Sequence, residues 1–167
     1  HGGEHVGIFG KNGVGKTTLL AHIAEELLAR SDVRTFYMPQ NYAELLPRDC
    51  TSVGFLAPDG DKAAVTAARL LLGSAHFTRE EMLAPIGALS GGQRAKLCLL
   101  RPILSGADVL ILDEPTRNFS PLSNPVIRGI LRGYGGAILS VSHDRKYLLE
   151  VAETLYRQTP EGLRREW

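Results

Sequence analysis

The sequence lacks the features that mark disulfide-rich, membrane-spanning and secreted proteins. It has two cysteines among 167 residues, Cys50 and Cys98, which stand far apart and belong to no ligand-spaced cluster. We therefore expect two reduced thiols rather than a disulfide or a metal site. No apolar run approaches the ~20 residues that cross a bilayer, and no secretory signal opens the chain. These absences predict a soluble, cytoplasmic protein.

An excess of charge of one sign is also missing. The 19 lysines and arginines balance 18 aspartates and glutamates, which leaves a formal net charge of +1. A total this small gives no argument for a nucleic-acid partner, and no basic patch for one is evident. With 44% hydrophobic and 22% charged residues, the composition is that of an ordinary globular domain with a sizeable core.

Apolar strand patterns alternate with helical patterns along the chain, which predicts an α/β fold with a mainly parallel sheet flanked by helices. The predicted strands cover 5–9, 33–38, 109–112 and 137–142, and the predicted helices cover 17–30, 93–104, 125–132 and 145–152. Pro102 should kink the second of these helices or end it early. A hairpin is expected over 154–167, around the turn at 159–162.

The segment from about 41 to 88 has a different character and predicts a helical insertion within a single domain spanning 1–167. It has turn signals and two helical patterns, one over about 61–72 and one that begins at Thr78. The residues Thr78 to Glu81 have the form of a capping box. At the other end, only one strand fits before Gly10, so we expect N-terminal strands to be truncated.

The first motif that carries chemistry is the segment from Gly10 to Thr17, GKNGVGKT, which fits G-x-x-x-x-G-K-[ST] without a mismatch. Its glycines let successive amides turn inward around phosphate oxygens, and the following helix start adds partial positive charge. Lys16 is expected on the β- and γ-phosphates and the Thr17 hydroxyl on Mg²⁺. The candidate ATP-binding residues are Gly10, Asn12, Gly13, Gly15, Lys16, Thr17 and Thr18.

The second motif is the segment 109–114, VLILDE, in which a buried strand ends in two adjacent carboxylates. A strand-end Asp-Glu pair is often only a solvated turn, but here an intact phosphate loop accompanies it. Asp113 is then a candidate ligand of Mg²⁺, directly or through water. Glu114 is a candidate general base that polarises the attacking water.

The third motif is Leu89 to Gln93, LSGGQ, which places a serine and two glycines before a helix and so predicts a second anion-binding helix start. One chain then has two phosphate sites but only one lysine loop. The simplest interpretation is that this turn contacts the γ-phosphate of a nucleotide held by another domain. The candidate residues are Ser90, Gly91, Gly92 and Gln93.

In this order, the phosphate loop, LSGGQ and LDEPT resemble the ATP-binding-cassette (ABC) ATPases over nearly the whole chain. The resemblance implies a P-loop NTPase fold, ATP and Mg²⁺ as ligands, and a second cassette as partner, in a homodimer or a tandem chain. It also identifies Gln40 as the Q-loop glutamine, near Mg²⁺ or the attacking water, and His143 as the switch histidine near the γ-phosphate. The implied catalytic residues are thus Glu114, His143 and Gln40, and the implied Mg²⁺ ligands are Thr17, Gln40 and Asp113.

The segment 142–148, SHDRKYL, and the short insertion resemble the F subfamily of these cassettes. Members of that subfamily carry two cassettes, lack membrane spans and act on the ribosome, and several protect it from antibiotics. Two alternatives stay open: the cassette of a membrane transporter, and a degenerate cassette that binds ATP without turnover.

The sequence departs from the family pattern in two places. Ser120 stands where the family's D-loop usually has an aspartate, which weakens any claim about signalling between paired sites. The family's adenine-stacking aromatic lies upstream of the phosphate loop, and His5 is too close to the loop to replace it. Base stacking is therefore unassigned by the sequence.

Overall fold

The computed structural model describes residues 3–119, 121 and 123–167. Within this part of the chain, one sheet has the strand order β2-β3-β4-β1-β5-β6. Every neighbouring pair is parallel except β5 and β6, which form an antiparallel hairpin. The strands are β1 (His5–Gly10), β2 (Thr35–Met38), β3 (Val109–Asp113), β4 (Ala137–Val141), β5 (Thr154–Thr159) and β6 (Gly162–Arg165).

Helices connect most of these strands, as expected for parallel pairs, which need crossover connections. They are α1 (Lys16–Leu28), α2 (Ser52–Leu56), α3 (Lys62–Ser74), α4 (Arg79–Leu83), α5 (Gly91–Leu104), α6 (Asn124–Arg132) and α7 (Arg145–Val151), with short 3₁₀ turns at Tyr42–Leu45 and Ile86–Ala88. The predicted α/β class with a mainly parallel sheet is confirmed.

The chain divides into two compact units. The first comprises His1–Gln40, Ala107–Arg117 and Arg128–Trp167 and contains the sheet. In its core, Leu20 and Ala24 of α1 pack against Ile8, Ile111 and Val141 of the central strands. The carboxyl ends of β1, β2, β3 and β4 share one edge of this sheet because the four strands are parallel, and ligands of such sheets bind at that edge.

The second unit comprises Asn41–Gly106 and Asn118–Ile127 and is helical. Its buried residues include Phe55, Leu72 and Leu97, which come from α2, α3 and α5. Cys98 is also buried there, and burial raises the pKa of its thiol to about 12. Both cysteines are free, in agreement with the expected reduced thiols.

Two helices bear directly on the sequence predictions. Helix α2 was not predicted: it has five residues, four of them buried, so it shows no amphipathic period. Helix α5 ends at Leu104, as predicted, with Pro102 inside it, so of the two effects expected of this proline an early end does not occur. Pro102 lies in the last turn, where its missing amide costs one hydrogen bond. The capping box at Thr78 is confirmed, with both of its hydrogen bonds present.

Among the described residues, no helix combines the length and the apolar character needed to cross a membrane.

Candidate functional site

A cavity of about 600 Å³ in the first unit gathers side chains from the ends of several strands. It has the size of a small-molecule site. Most residues that the sequence proposed for ATP binding and hydrolysis line it, although they come from four separate stretches of the chain. The lining residues are Asn12, Gly13, Gly15, Lys16, Thr17, Thr18, Gln40, Glu114, Arg117, Val141 and His143.

The phosphate loop connects β1 to α1 and has a backbone that requires glycine at two positions. Gly13 and Gly15 have φ values of 77° and 95°, in the left-handed region that side chains disfavour. A Cβ at either position would meet no atom of the described residues within 4 Å. The backbone conformation, rather than crowding, therefore selects glycine here, and the empty space beside the loop leaves room for phosphate oxygens.

Lys16 begins α1 and turns its side chain back across the loop. Its ammonium donates hydrogen bonds to the carbonyl oxygens of Gly10 and Lys11 at 2.9 and 2.8 Å. The residue is only 7% exposed, so its ammonium group is held against the loop and is not free in solvent. An ammonium has three donors, and the third can face a phosphate in the cavity.

Gly10 has a different role from the other loop glycines. It does not line this cavity, and a Cβ there would lie 2.5 Å from the carbonyl oxygen of Gln158. Close pairing with β5 thus selects this glycine, and its contribution to the site is the carbonyl that accepts from Lys16.

Asp113 lies at the end of β3, in contact with Gln40, and is 1% exposed. The Gln40 amide donates to Asp113 Oδ1 at 3.4 Å, while Asp113 Oδ2 is buried with no partner among the described residues. A buried carboxylate oxygen without a partner is costly unless a cation satisfies it. Thr17, which has a hydroxyl oxygen, lines the cavity, and hydroxyl and carboxylate oxygens are ligands that fit a hard cation such as Mg²⁺.

Glu114 and His143 lie side by side at the ends of β3 and β4. Glu114 has a φ of 53°, a conformation disfavoured for a residue with a side chain. Its carboxylate accepts from the His143 amide at 3.2 Å and from the Ser142 hydroxyl at 3.4 Å, and lies 3.6 Å from His143 Nε2. The Glu114 side chain is 11% exposed and that of His143 is 50% exposed. The carboxylate is therefore held rigidly, whereas the imidazole is open to a ligand.

Arg117 lines the same cavity, and the sequence reasoning did not single it out. Its Nη1 donates to Gln40 Oε1 at 3.3 Å, which extends the Gln40–Asp113 contact into a chain of three side chains. Its backbone amide donates to the Glu114 carbonyl at 3.1 Å, so a tight turn brings it back to the cavity. Arg117 directly follows the LDEPT segment, so no motif marks it in the sequence.

The LSGGQ segment lies in the second unit and lines a smaller cavity of about 300 Å³ there. Ser90 caps α5 by accepting from the Gln93 amide at 3.3 Å, and the Gln93 side chain accepts from the Ser90 amide at 2.8 Å. This capping box uses a lone pair of the Ser90 oxygen and leaves its hydroxyl proton for another acceptor. Gly92 also lines the cavity, and a Cβ there would lie 3.1 Å from the Asn118 carbonyl.

Ser120, which departs from the family's D-loop pattern, lies outside the described residues. His5 does not belong to the cavity. His5 is 5% exposed, and its ring nitrogens lie 3.1 to 3.2 Å from the carbonyl oxygens of Tyr134, Gly136 and Val151. These contacts fix the imidazole inside the first unit, which agrees with its exclusion as a base-stacking group.

Comparison with known proteins places these features in a family. A sequence model of the ABC transporter family matches residues 1–117. The chain is 37% identical to "Ribosome protection protein VmlR" of Bacillus subtilis over 154 residues, covering 87% of this chain and 27% of that protein. It is 34% identical to "ATP-binding protein Uup" of Escherichia coli over 157 residues, covering 87% and 25%. It is 29% identical to "ABC transporter F family member 2" of Arabidopsis thaliana over 169 residues, covering 96% and 25%. The chain thus spans about a quarter of the length of these relatives.

Solved structures show the same fold. The dimeric bacterial ABC transporter cassette MJ0796 superposes with a TM-score of 0.81 at 19% identity, covering 99% of this chain and 86% of that one. A second structure of that cassette, a dimeric post-hydrolysis state bound to ADP and Pi, gives a TM-score of 0.79 at 19% identity, covering 98% and 85%. At this identity the likeness establishes the fold alone, that of an ABC-type P-loop cassette.

Proposed function

Because the chain belongs to the ATP-binding-cassette (ABC transporter) family, we propose that it binds Mg-ATP and hydrolyses it when paired with a second cassette. The observation that carries this proposal is the single cavity lined by Lys16, Glu114 and His143. Lys16 and His143 are more than 125 positions apart along the chain, yet all three residues lie at one edge of the parallel sheet. A lysine loop, a carboxylate and an imidazole are the groups that phosphoryl transfer to water needs.

The phosphate loop holds the triphosphate. The amides of residues 11–17 surround the phosphate oxygens, and the Lys16 ammonium lies against the β- and γ-phosphates. Thr17, Gln40 and Asp113 would hold Mg²⁺, which when bound neutralises charge on the phosphate oxygens. Catalysis comes mainly from positioning and charge stabilisation, so rigid anchoring of these side chains matters more than their intrinsic reactivity.

Glu114 accepts a proton from the attacking water, and His143 faces the γ-phosphate. The hydrogen bonds from Ser142 and the His143 amide hold the carboxylate in one orientation. A held carboxylate is poised to orient a water for in-line attack. The half-exposed imidazole beside it can donate to a phosphate oxygen as negative charge develops.

A second cassette would complete the site through the Ser90 turn. The hydroxyl proton of Ser90 and the amides that begin α5 form an anion-binding helix start. Either a second copy of this chain or a tandem cassette could present that turn to the γ-phosphate. The dimeric state of the structurally similar cassettes supports such pairing. Closure on ATP and release after hydrolysis would make the pair a mechanical switch.

The mechanical output proposed is action on the ribosome, as in the F subfamily. The relatives named F family member 2 and ribosome protection protein support it. The runner-up is energy coupling in a membrane transporter, which the name of the matching family also covers. Co-sedimentation of the full-length protein with ribosomes or with membranes, with ATP and with ADP, separates the two. An F-type protein pellets with ribosomes in an ATP-dependent manner, and recovery only in the membrane fraction contradicts that role.

Two substitutions test the chemistry. Lys16→Ala should weaken Mg-ATP binding about tenfold to a hundredfold, because a charge-assisted hydrogen bond to phosphate is lost. Glu114→Gln should keep binding and lower turnover by about a hundredfold or more, because the amide cannot accept the proton. Calorimetry measures binding and phosphate release measures turnover.

The degenerate-cassette alternative gives a different pattern in the same assays. In that case the parent chain binds Mg-ATP but shows no turnover at any protein concentration, and Glu114→Gln changes nothing. Binding that is insensitive to Lys16→Ala would sink the proposal as a whole.

A further inference from the structure

Tyr42 is a buried tyrosine of the second unit that none of the sequence motifs includes. It begins the short 3₁₀ turn Tyr42–Leu45 and is 7% exposed. Its hydroxyl donates a hydrogen bond to the carbonyl oxygen of Gly91 at 2.9 Å. Gly91 is the first residue of α5 and belongs to the LSGGQ segment. The phenol therefore contacts the turn that the proposed function assigns to the γ-phosphate of a nucleotide on a second cassette.

The Gly91 carbonyl and the Gly92 amide belong to one peptide unit. The unit is planar and trans, so its C=O and N–H point in opposite directions, and a group that fixes the carbonyl also fixes the amide. At a helix start, the amide is the end that faces an anion. A hydrogen bond to the carbonyl also polarises the peptide and strengthens its N–H as a donor. Gly92 lines the LSGGQ cavity together with Ser90, where such a donor is needed.

We propose that Tyr42 is a positioning residue for the LSGGQ turn: its hydroxyl holds the Gly91–Gly92 peptide so that the Gly92 amide points at the γ-phosphate of a nucleotide on a second cassette. The inference rests on the proposed function, because it assumes that the turn completes the site of another cassette. It adds to that site a side chain that lies 49 positions before Gly91 in the chain.

The surroundings of the phenol keep its hydroxyl a donor. Burial raises the pKa of Tyr42 and outweighs the opposite effects of the Asn118 side chain and of Arg94. A phenol whose pKa is raised above its ordinary value of about 10 retains its proton at neutral pH. The same peptide is also crowded by the chain, because a Cβ at Gly92 would lie 3.1 Å from the Asn118 carbonyl oxygen. Tyr42 and Asn118 therefore both restrict the peptide.

The variant Tyr42→Phe removes the hydroxyl and keeps the ring. It should lower kcat for Mg-ATP about twofold to tenfold, the range of one neutral hydrogen bond, because the Gly92 amide is no longer held. The affinity for Mg-ADP should be unchanged, because Tyr42 does not line the phosphate cavity. Phosphate release at saturating ATP measures kcat, and calorimetry measures the affinity.

The matched control is Tyr134→Phe. The Tyr134 hydroxyl also donates to a backbone carbonyl, that of Ala107, but it does so within the first unit. Tyr134 lines neither the phosphate cavity nor the LSGGQ cavity. Both variants should lower the urea midpoint of unfolding by a similar amount, whereas only Tyr42→Phe should lower kcat. An equal loss of kcat in Tyr134→Phe would overturn the proposal, since a general loss of stability would explain both.

A mixing experiment gives a readout that a merely structural role would not change. When Tyr42→Phe pairs with Lys16→Ala, the intact lysine loop of the first chain works with the unaltered LSGGQ turn of the second. In an excess of Lys16→Ala, nearly every Tyr42→Phe chain is in such a pair. The rate of phosphate release per Tyr42→Phe chain should then rise to the rate per parent chain in the same excess of Lys16→Ala.

Each outcome supports or overturns a defined claim. A parental kcat in Tyr42→Phe overturns the positioning role. A deficit that persists in excess Lys16→Ala, while the specific activity of the parent rises with protein concentration, also overturns it, because the defect then lies in the variant's own phosphate site. If the parent binds Mg-ADP without turnover, or its specific activity does not depend on concentration, the proposed function fails first and the positioning role fails with it.

Discussion

At the scale of single residues, the site depends on which side chains the turns return to the cavity. Lys16, Glu114 and His143 are predictable because each of them belongs to a sequence motif or follows the end of a predicted strand. Arg117 is not, because it follows the last matched residue of the LDEPT segment. Only the left-handed backbone at Glu114 and the bond from the Arg117 amide to the Glu114 carbonyl bring it beside Gln40. Local backbone of this kind has no hydrophobic period from which it could be read.

We predict that Arg117 contributes to turnover by orienting Gln40 and adding positive charge near the phosphates. Arg117→Gln should lower kcat/KM for Mg-ATP about tenfold to a hundredfold, the value of one charge-assisted hydrogen bond. Steady-state phosphate release at varied ATP concentration measures it.

The matched control for this prediction is Arg30→Gln. Arg30 is exposed and pairs with Asp32, away from the cavity, so its removal should leave kcat/KM within about twofold, as for most surface substitutions. A parental kcat/KM in Arg117→Gln would show that the arginine is only a neighbour of the site.

At the scale of elements, two helices of the second unit, α4 and α5, begin with the same capping arrangement. Thr78 caps α4 and Ser90 caps α5, each with a capping box that satisfies two otherwise unpaired amides. Thr78 lines neither the large phosphate cavity nor the LSGGQ cavity, whereas Ser90 lines the latter. The shared device makes the two residues a matched pair for separating stability from function.

We predict that Thr78→Ala and Ser90→Ala each lower the free energy of unfolding by about 1 kcal/mol, the usual value of an N-cap. Only Ser90→Ala should also lower ATPase activity, because only its hydroxyl can reach a nucleotide on a second cassette. Urea unfolding and phosphate release on the same preparations test both points. Equal loss of activity in the two variants would reduce Ser90 to a structural cap.

The elements themselves were predictable where the sequence has a continuous apolar run or an amphipathic period, and unpredictable where it has neither. The strands that carry the site are continuous apolar runs, and β3 with its buried Leu110, Ile111 and Leu112 is the clearest of them. Helix α2 was not predicted because Thr51 caps a five-residue segment that is buried on nearly all sides. A single turn of this kind depends on its neighbours in the second unit for stability, so its own sequence contains little signal.

At the scale of the whole molecule, composition cannot reveal which distant segments pack together. The helical stretch after Gln40 stands out along the sequence, but the second unit also includes Asn118–Ile127. That grouping joins, through tertiary contacts, two segments that residues 107–117 separate along the chain. The same limit applies to the partner cassette, because the chain has two anion-binding turns and only one lysine loop, and its sequence cannot say which copy completes which site.

We predict that two copies of this chain pair, each Lys16 loop working with the Ser90 turn of the other copy. Lys16→Ala and Ser90→Ala should each be inactive alone. Mixed in equal amounts, they should recover up to about a quarter of the parent rate, because half of the dimers are mixed and each has one intact composite site.

The specific activity of the parent should also rise with protein concentration, as a dimer requires. Light scattering of Glu114→Gln with ATP should detect that dimer directly, since binding continues while release by hydrolysis is blocked. The prediction fails if the mixed variants show no more ATPase activity than the two variants alone and the specific activity of the parent does not change with protein concentration. Each copy would then work alone, and the LSGGQ turn would need another partner.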